Sequence, residues 1–186
     1  GLSHQAAILL AVAALLVALG VSSYAIANGG KKNLKADVMT GYQENPDIST
    51  IASGRFEVTL DDDAQTLTYE LSYSGLEGTV QQAHIHFGAR AITGGISIFL
   101  CTNLGNGPAG TQPCPQMGTI SGHIRAADVI GPAGQGIAPG ELAEIIAAIR
   151  AGVAYVNVHS TQFPGGEIRA QFNGKHPNRG RGPDHD

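Results

Sequence analysis

The sequence predicts a mainly β protein of one domain, with short strands, many turns and one short helix. Apolar and polar residues alternate in two consecutive segments, the period that places every second side chain on one face of a strand. The chain has 26 glycines, no tryptophan and 5% aromatic residues, so Val, Ile, Leu and Ala are left to build the interior. About 150 residues follow an apolar N-terminal segment, which is enough for one domain.

The first strands are predicted between residues 36 and 74. The segment ADVMTGYQ begins the pattern at residue 36, and GRFEVTLD and TLTYELSYS continue it over residues 54–61 and 66–74. In the last two, one face of each strand is apolar: Phe56, Val58 and Leu60, then Leu67, Tyr69, Leu71 and Tyr73. The acidic run Asp61, Asp62 and Asp63 between them predicts a hairpin turn. A calcium loop is the alternative, but the EF-hand spacing and its closing Glu are missing.

The second half of the chain predicts further strands and the helix. AHIHFG at residues 83–88, GGISIFL at 94–100 and GTISGHIRAADV at 118–129 are typical of strands. The period then changes to a helical one, with apolar residues at Leu142, Ile145, Ile146 and Ile149 and with Gly152 as a stop signal. The turn residues Pro164, Gly165 and Gly166 predict that the chain closes on a hairpin between YVNVHS and EIRAQF.

The N-terminal segment predicts export. The first thirty residues contain no Asp, Glu, Lys or Arg, and Ala6 to Ala27 is almost entirely apolar. We interpret residues 1–27 as a secretory signal peptide cleaved after Ala25-Ile26-Ala27, as a retained membrane helix, or as the helix of a pilin-like filament subunit. Residues 28–35 are predicted to be a polar linker, and residues 173–186 a disordered tail.

The composition and short motifs exclude several function classes. The net charge of −4, without a cluster of basic and aromatic residues, argues against nucleic-acid binding. GNGPAG at residues 105–110 has the letters of a dinucleotide fingerprint, but a loop with prolines follows it instead of a helix. The chain also lacks a GxSxG elbow, a phosphate-binding loop and a CxxC redox pair.

Cys101 and Cys114 are the two cysteines of the chain. In an exported protein we expect a disulfide between them, closing a short loop rich in Gly and Pro. Two free buried thiols or metal ligation are the alternatives.

Three histidines are candidate metal ligands. His84 and His86 stand on the same face of a predicted strand, at roughly 6 to 7 Å along it, so their imidazoles can share a metal ion. The same alternation places Tyr155, Asn157 and His159 on one face of a later strand. As an alternative, these polar side chains hydrogen-bond one another and fasten the strand ends together.

AHIHFG, the Asn157 and His159 pair in YVNVHS, and PGGEIRAQF together resemble the CHRD domain, the family named after chordin. The resemblance covers residues 36–172 and includes GYQENP near its start. The predicted helix and the cysteine loop are similar to those of bacterial and archaeal members. The resemblance implies an extracytoplasmic, antiparallel Greek-key β-sandwich of immunoglobulin-like or superoxide-dismutase-like type, and it implies no settled biochemical activity.

AHIHFG is also similar to the histidine strand of copper-zinc superoxide dismutases. That similarity implies His84, His86 and His159 as copper ligands, with His123 as a candidate fourth. No histidine or acidic cluster between Phe87 and Cys101 supplies a zinc site, so a copper-only centre is the expectation. Arg169 would attract an anion such as superoxide, or would pair with Glu167 or another surface acid.

Three functions follow as hypotheses. The first is an exported or membrane-anchored surface module that binds a transition metal, with copper favoured and zinc as the alternative. The second is a copper-only oxidoreductase of the superoxide dismutase type. The third is a pilin-like filament or adhesion subunit, whose partners would be further copies of itself or another protein. A membrane partner is expected only if the N-terminal segment is retained.

Overall fold

The computed structural model describes residues 30–36 and 38–174, which form nine strands and one α-helix. The strands are β1 (Lys31–Lys35), β2 (Met39–Thr40), β3 (Ser53–Asp61), β4 (Thr66–Ser74), β5 (Val80–Phe87), β6 (Gly95–Thr102), β7 (Gly118–Ile124), β8 (Ala154–Ser160) and β9 (Ile168–Gln171). The helix α1 (Leu142–Arg150) lies between β7 and β8 in the chain. Within the described ranges, no helix has the length and apolar character needed to cross a bilayer.

The strands form one antiparallel sheet that folds into a nearly closed, barrel-like sandwich. Its order is β6-β5-β8-β9-β2-β3-β4-β7, and β1 pairs with β3 beside β2. The short strand β2 pairs with both β9 and β3, so it joins two halves of the sandwich. The chain passes from one half to the other between β4 and β5, between β6 and β7, and again between β7 and β8. The predicted mainly β antiparallel sandwich is confirmed.

The core follows the predicted alternation. The apolar face of β3 is buried at Phe56, Val58 and Leu60, and so are the four apolar positions of β4, from Leu67 to Tyr73. The four apolar positions of α1 are buried as well, and the helix is followed by Gly152 with a φ of 70°, a conformation that favours glycine. Each predicted apolar face therefore lies against the interior.

The predicted acidic hairpin turn is also present. β3 and β4 pair as far as Asp61 opposite Thr66, and the turn residues lie between them. The Asp61 carboxylate accepts the backbone N–H groups of Asp63 and Ala64 at 3.2 and 2.9 Å. This bonding is that of an Asx-type turn, in which the aspartate replaces a backbone acceptor.

The predicted disulfide is confirmed. The sulfur atoms of Cys101 and Cys114 are bonded, and the bridge spans 13 residues. The Asn103 amide donates to the backbone carbonyls of Val80 and Cys114, both at 2.9 Å, and it holds the closed loop against the start of β5.

Two assignments near the N-terminus need correction. The segment interpreted as a polar linker contains β1, which pairs with β3 from Lys31 opposite Asp61 to Lys35 opposite Glu57. Leu34 packs against the core from this strand, and the rest of β1 is exposed, which is why the sequence shows no apolar alternation there. The strand predicted from residue 36 is short, because the chain turns into a 3-10 helix at Gly41–Gln43.

The interpretations of residues 1–27 and of most of the tail lie outside the described residues. Asn173 is described, and its backbone N–H donates to the Lys35 carbonyl at 2.8 Å, so the bonded part of the chain continues one residue past the predicted end of the domain.

Candidate metal centre

Three histidines meet on the outer face of the half of the sandwich that contains β5 and β8. The two strands are antiparallel neighbours, with His84 opposite Asn157 and Gln82 opposite His159. One ring nitrogen from each of His84, His86 and His159 lies within 4.8 Å of the others. The imidazole centroids are 5.3 Å apart for His84 and His86 and 4.9 Å apart for His84 and His159. The predicted grouping of the three rings is confirmed.

The cluster is buried although it lies on the side of the sheet that faces away from the core. His84 is fully buried, and His86 and His159 are each 6% exposed. The Phe99 ring of β6 packs edge-on against His84 at a centroid distance of 4.4 Å, and the loops at Gly94 and Pro164 bond to the other two rings. The histidines therefore form a polar layer between the sheet and the loops that cover it.

The hydrogen bonds of two rings define their tautomers. His86 Nδ1 lies 3.0 Å from the Gly94 carbonyl, and His159 Nδ1 lies 2.9 Å from the Pro164 carbonyl. Because a carbonyl oxygen accepts and does not donate, each Nδ1 carries the proton and each Nε2 carries a lone pair. In metal sites, a carbonyl group that accepts from Nδ1–H in this way orients a histidine that binds the metal through Nε2.

Two of the ring nitrogens lack a partner among the described residues. His84 Nε2 and His86 Nε2 are buried and make no hydrogen bond there, whereas His159 Nε2 lies 3.2 Å from His84 Nδ1. Buried polar atoms are nearly always hydrogen-bonded, and one that is left unpaired costs about 1–3 kcal/mol. The cluster therefore has capacity for a further group.

Burial keeps the imidazoles neutral. It lowers the pKa of His84 to about 2, with smaller contributions from the neighbouring His159 and His86. Burial also lowers the pKa of His86 to about 4, although the hydrogen bond with Gly94 opposes it. The pKa of His159 is lowered by burial as well. Neutral imidazole is the form that can bind a metal ion, and burial favours that form at neutral pH.

The donor set suits a transition-metal ion, because one ring nitrogen of each histidine lies within 4.8 Å of the others. Within residues 30–36 and 38–174, the group of possible ligands contains three histidines and no Cys, Asp or Glu. Imidazole-only donors favour copper or zinc over calcium or magnesium.

Tyr155 and Asn157 contact the cluster from the same face of β8, as the alternation predicts. The Tyr155 ring stacks on His86 with a centroid distance of 4.7 Å and an interplanar angle of 3°, and its hydroxyl accepts the Gly94 N–H at 3.2 Å. Asn157 Oδ1 lies 3.0 Å from His159 Nε2, and in this tautomer both atoms are acceptors, so the contact is not a hydrogen bond. The Tyr155 contacts restrict the rotation of the His86 ring.

Arg169 is buried on the outer face of the sheet beneath the loop that follows β5, which corrects the expectation of a surface position. It is 1% exposed, and its guanidinium lies over the Tyr155 ring at 3.4 Å. It donates to the backbone carbonyls of Ala89 and Ile92 at 2.9 and 3.1 Å, and it thereby holds the loop that follows β5 over the histidines. The expected pairing with Glu167 is wrong.

Glu167 instead has a structural role at the base of the last hairpin. The carboxylate is fully buried and accepts hydrogen bonds from the Thr50 hydroxyl at 2.8 Å, the Ser160 hydroxyl at 2.5 Å and the Glu77 backbone N–H at 2.9 Å.

His123 is not part of the cluster, so the expectation of a fourth ligand is wrong. It is exposed on β7, at the far end of the other half of the sandwich, and its Nδ1 lies 3.1 Å from the Thr68 hydroxyl. The sequence places His123 in a strand but carries no signal for the half to which that strand belongs.

Sequence reasoning missed the role of Glu44. This residue is 6% exposed, and burial raises the pKa of its carboxyl to about 7, against the opposing effects of the Arg169 charge and of a hydrogen bond with Asn157. Its Oε1 atom has no hydrogen-bond partner in the described part of the chain. Glu44 belongs to the GYQENP segment, which is part of the resemblance to the CHRD domain. That resemblance was the signal in the sequence that could have pointed to Glu44.

A family model of the CHRD domain matches residues 36–172, most of the described chain. No curated protein and no solved structure matches the chain.

Proposed function

We propose that this chain, which belongs to the CHRD domain family, is an exported surface module that binds a copper ion through His84, His86 and His159. The single observation that carries the proposal is the pair of buried ring nitrogens, on His84 and His86, that lack a partner among the described residues. The disulfide supports export, because such bonds persist in oxidising compartments outside the cytoplasm.

A purely structural cluster explains the geometry less well. If the histidines only fastened β5 to β8, each ring nitrogen would be expected to find a donor or an acceptor in the surrounding loops. Instead, two buried nitrogens find no partner among the described residues, at a cost of about 1–3 kcal/mol each. A metal ion bound to these lone pairs removes that cost, and its affinity adds to the stability of the folded state.

Copper is favoured over zinc as the ion. All three donors are imidazoles, which suit both metals, and copper has the higher intrinsic affinity for nitrogen donors. Zinc remains the alternative for a site of this composition. In a surface module the bound ion would serve storage, protection or rigidity.

A copper-dependent oxidoreductase of the superoxide dismutase type is the second candidate. The observation that favours it is the number of ligands, since three histidines leave one position of a tetrahedral ion open. Bound copper would supply one-electron chemistry at that position. A copper-loaded protein without superoxide dismutase activity would contradict this candidate and leave the binding function intact.

The test is a copper titration of the His159→Ala variant against a competing chelator. Loss of a ligand should lower the affinity at least a hundredfold, because the weaker effect of removing a mere outer-shell partner is already about ten- to a hundredfold. His123→Ala is the matched control, as it removes an exposed histidine of the same domain. Equal affinity in His159→Ala and in the parent would contradict the proposed site, provided that circular dichroism shows both to be folded.

A further inference from the structure

A pocket of about 230 Å³ lies beside the histidine cluster, between two loops. One wall is the segment from Glu44 to Ile48, and the other is the turn from Gln162 to Gly166 that joins β8 to β9. Among the described residues that line this pocket, Glu44 is the one ionisable side chain. We call it the Glu44 pocket.

The carboxyl group of Glu44 is buried in a way that points to a ligand. The residue is 94% buried, and its Oε1 has no hydrogen-bond partner within the described ranges. A buried carboxyl oxygen without a donor is costly, and a cation or a hydrogen-bond donor in the pocket would satisfy it. The charge of Arg169 and hydrogen bonds with the Asn157 side chain and the Asn45 backbone act on this carboxyl, but Oε1 itself has no hydrogen-bond partner among the described residues.

The Glu44 pocket and the histidine cluster share a wall. A Cβ atom added to Gly166 would lie 2.3 Å from Glu44 Oε1 and 2.7 Å from Asn157 Nδ2, so both polar groups reach the same side of that glycine. Asn157 Oδ1 in turn lies 3.0 Å from His159 Nε2. The backbone carbonyl of Pro164, which also lines the pocket, accepts a hydrogen bond from His159 Nδ1–H. One amide side chain and one turn therefore separate the pocket from the cluster.

We infer that the Glu44 pocket is the entrance through which a transition-metal ion reaches the three histidines, and that Glu44 is the carboxylate that first binds the ion from water. The inference rests on the proposed metal site. An imidazole side chain carries no negative charge, whether or not it is protonated, so the three histidines do not draw a hydrated cation out of solvent. The Glu44 carboxyl, in a pocket adjoining the cluster, supplies that charge in its ionised form while the ion loses its water, and the imidazoles then hold the ion.

The test measures the rate of copper(II) uptake by the metal-free full-length chain in a stopped-flow experiment. Glu44→Gln keeps the shape of the side chain and removes its charge, and it should slow uptake at least tenfold. The equilibrium affinity should stay within about threefold of the parent, since all three ligands remain. Asp47→Asn is the matched control, because it removes the same charge from an exposed position in the same loop, and it should leave the uptake rate unchanged.

A second variant tests the same inference if Glu44→Gln does not fold. Gly165 lines the pocket, and a Cβ added there meets no atom within 4 Å, so a large side chain can be placed at this position. Gly165→Trp should obstruct the pocket and slow copper uptake at least tenfold, with the affinity unchanged.

The outcomes separate the inference from the function on which it rests. Equal uptake rates in the parent, Glu44→Gln and Gly165→Trp would overturn the entrance while leaving the metal site in place. A large loss of affinity in Glu44→Gln would also overturn it, because Glu44 would then be a ligand. A parent protein that binds no copper at all would overturn the metal site and the entrance together.

Discussion

Replacing Glu44 with Gln should change how the stability of the metal-free protein depends on pH. Burial raises the pKa of the Glu44 carboxyl from its ordinary 4.5 to about 7. The folded protein therefore binds this proton more tightly than the unfolded chain. As the pH rises from 4.5 through 7, the parent loses stability because a charge must be kept in a buried position. The Gln variant has no such proton to lose.

The magnitude follows from the same two pKa values. At about 1.4 kcal/mol per pH unit, the interval from 4.5 to about 7 corresponds to about 3 kcal/mol. Relative to the parent, Glu44→Gln should thus gain about 3 kcal/mol between pH 4 and pH 8. The histidines of the unfolded chain also titrate in this range, but their effect is common to both proteins and largely cancels in the difference.

Urea unfolding of both proteins in the presence of a chelator, at pH 4, 6 and 8, measures this difference. Asp47→Asn serves as the charge-matched control from the exposed part of the same loop. A difference between Glu44→Gln and the parent that stays constant across the three pH values would refute the assignment of a raised pKa to Glu44.

Two further predictions concern the disulfide and the contacts of the buried Arg169. Reduction of the Cys101–Cys114 bridge should add the mass of two hydrogens and lower the free energy of unfolding by ~3 kcal/mol, the value expected for a loop of this length; an unchanged denaturation midpoint would contradict this. Arg169→Lys keeps the charge but cannot reproduce the planar contact with Tyr155 and the paired bonds to the Ala89 and Ile92 carbonyls, so it should cost about 2 kcal/mol and speed hydrogen exchange in residues 88–94. Parent-like exchange in that loop would show that Arg169 does not hold it.

The elements with regular periodicity could be predicted from the sequence. The strands β3 and β4 and the helix α1 each bury one apolar face, and a buried face imposes a period on the residues that form it. β1 could not be predicted, because four of its five residues are exposed. Its position depends on backbone pairing with β3, and backbone hydrogen bonds do not require particular residue types.

The candidate site was predictable to the extent that it depends on the alternation along a strand. The spacing of His84 and His86 and the shared face of Asn157 and His159 follow from that rule, and it does not require knowledge of the fold. The burial of Arg169 was not predictable, because alternation tells which side chains share a face but not which loops cover it.

The same limit explains why the position of Glu44 was not predicted. Glu44 reaches the site from an irregular segment between β2 and β3. No period relates such a segment to β5 or β8. Its proximity to Asn157 arises from the packing of two loops, Glu44–Ile48 and Gln162–Gly166, that are far apart in the sequence.

The most direct test of the metal site is elemental analysis with copper titration of the purified full-length chain and of its His84→Ala, His86→Ala double variant. We predict one copper ion per parent chain and none in the double variant, because the two ring nitrogens that lack a partner in the described structure belong to these residues. An absence of stoichiometric copper in the parent, or equal copper in the two proteins, would contradict it.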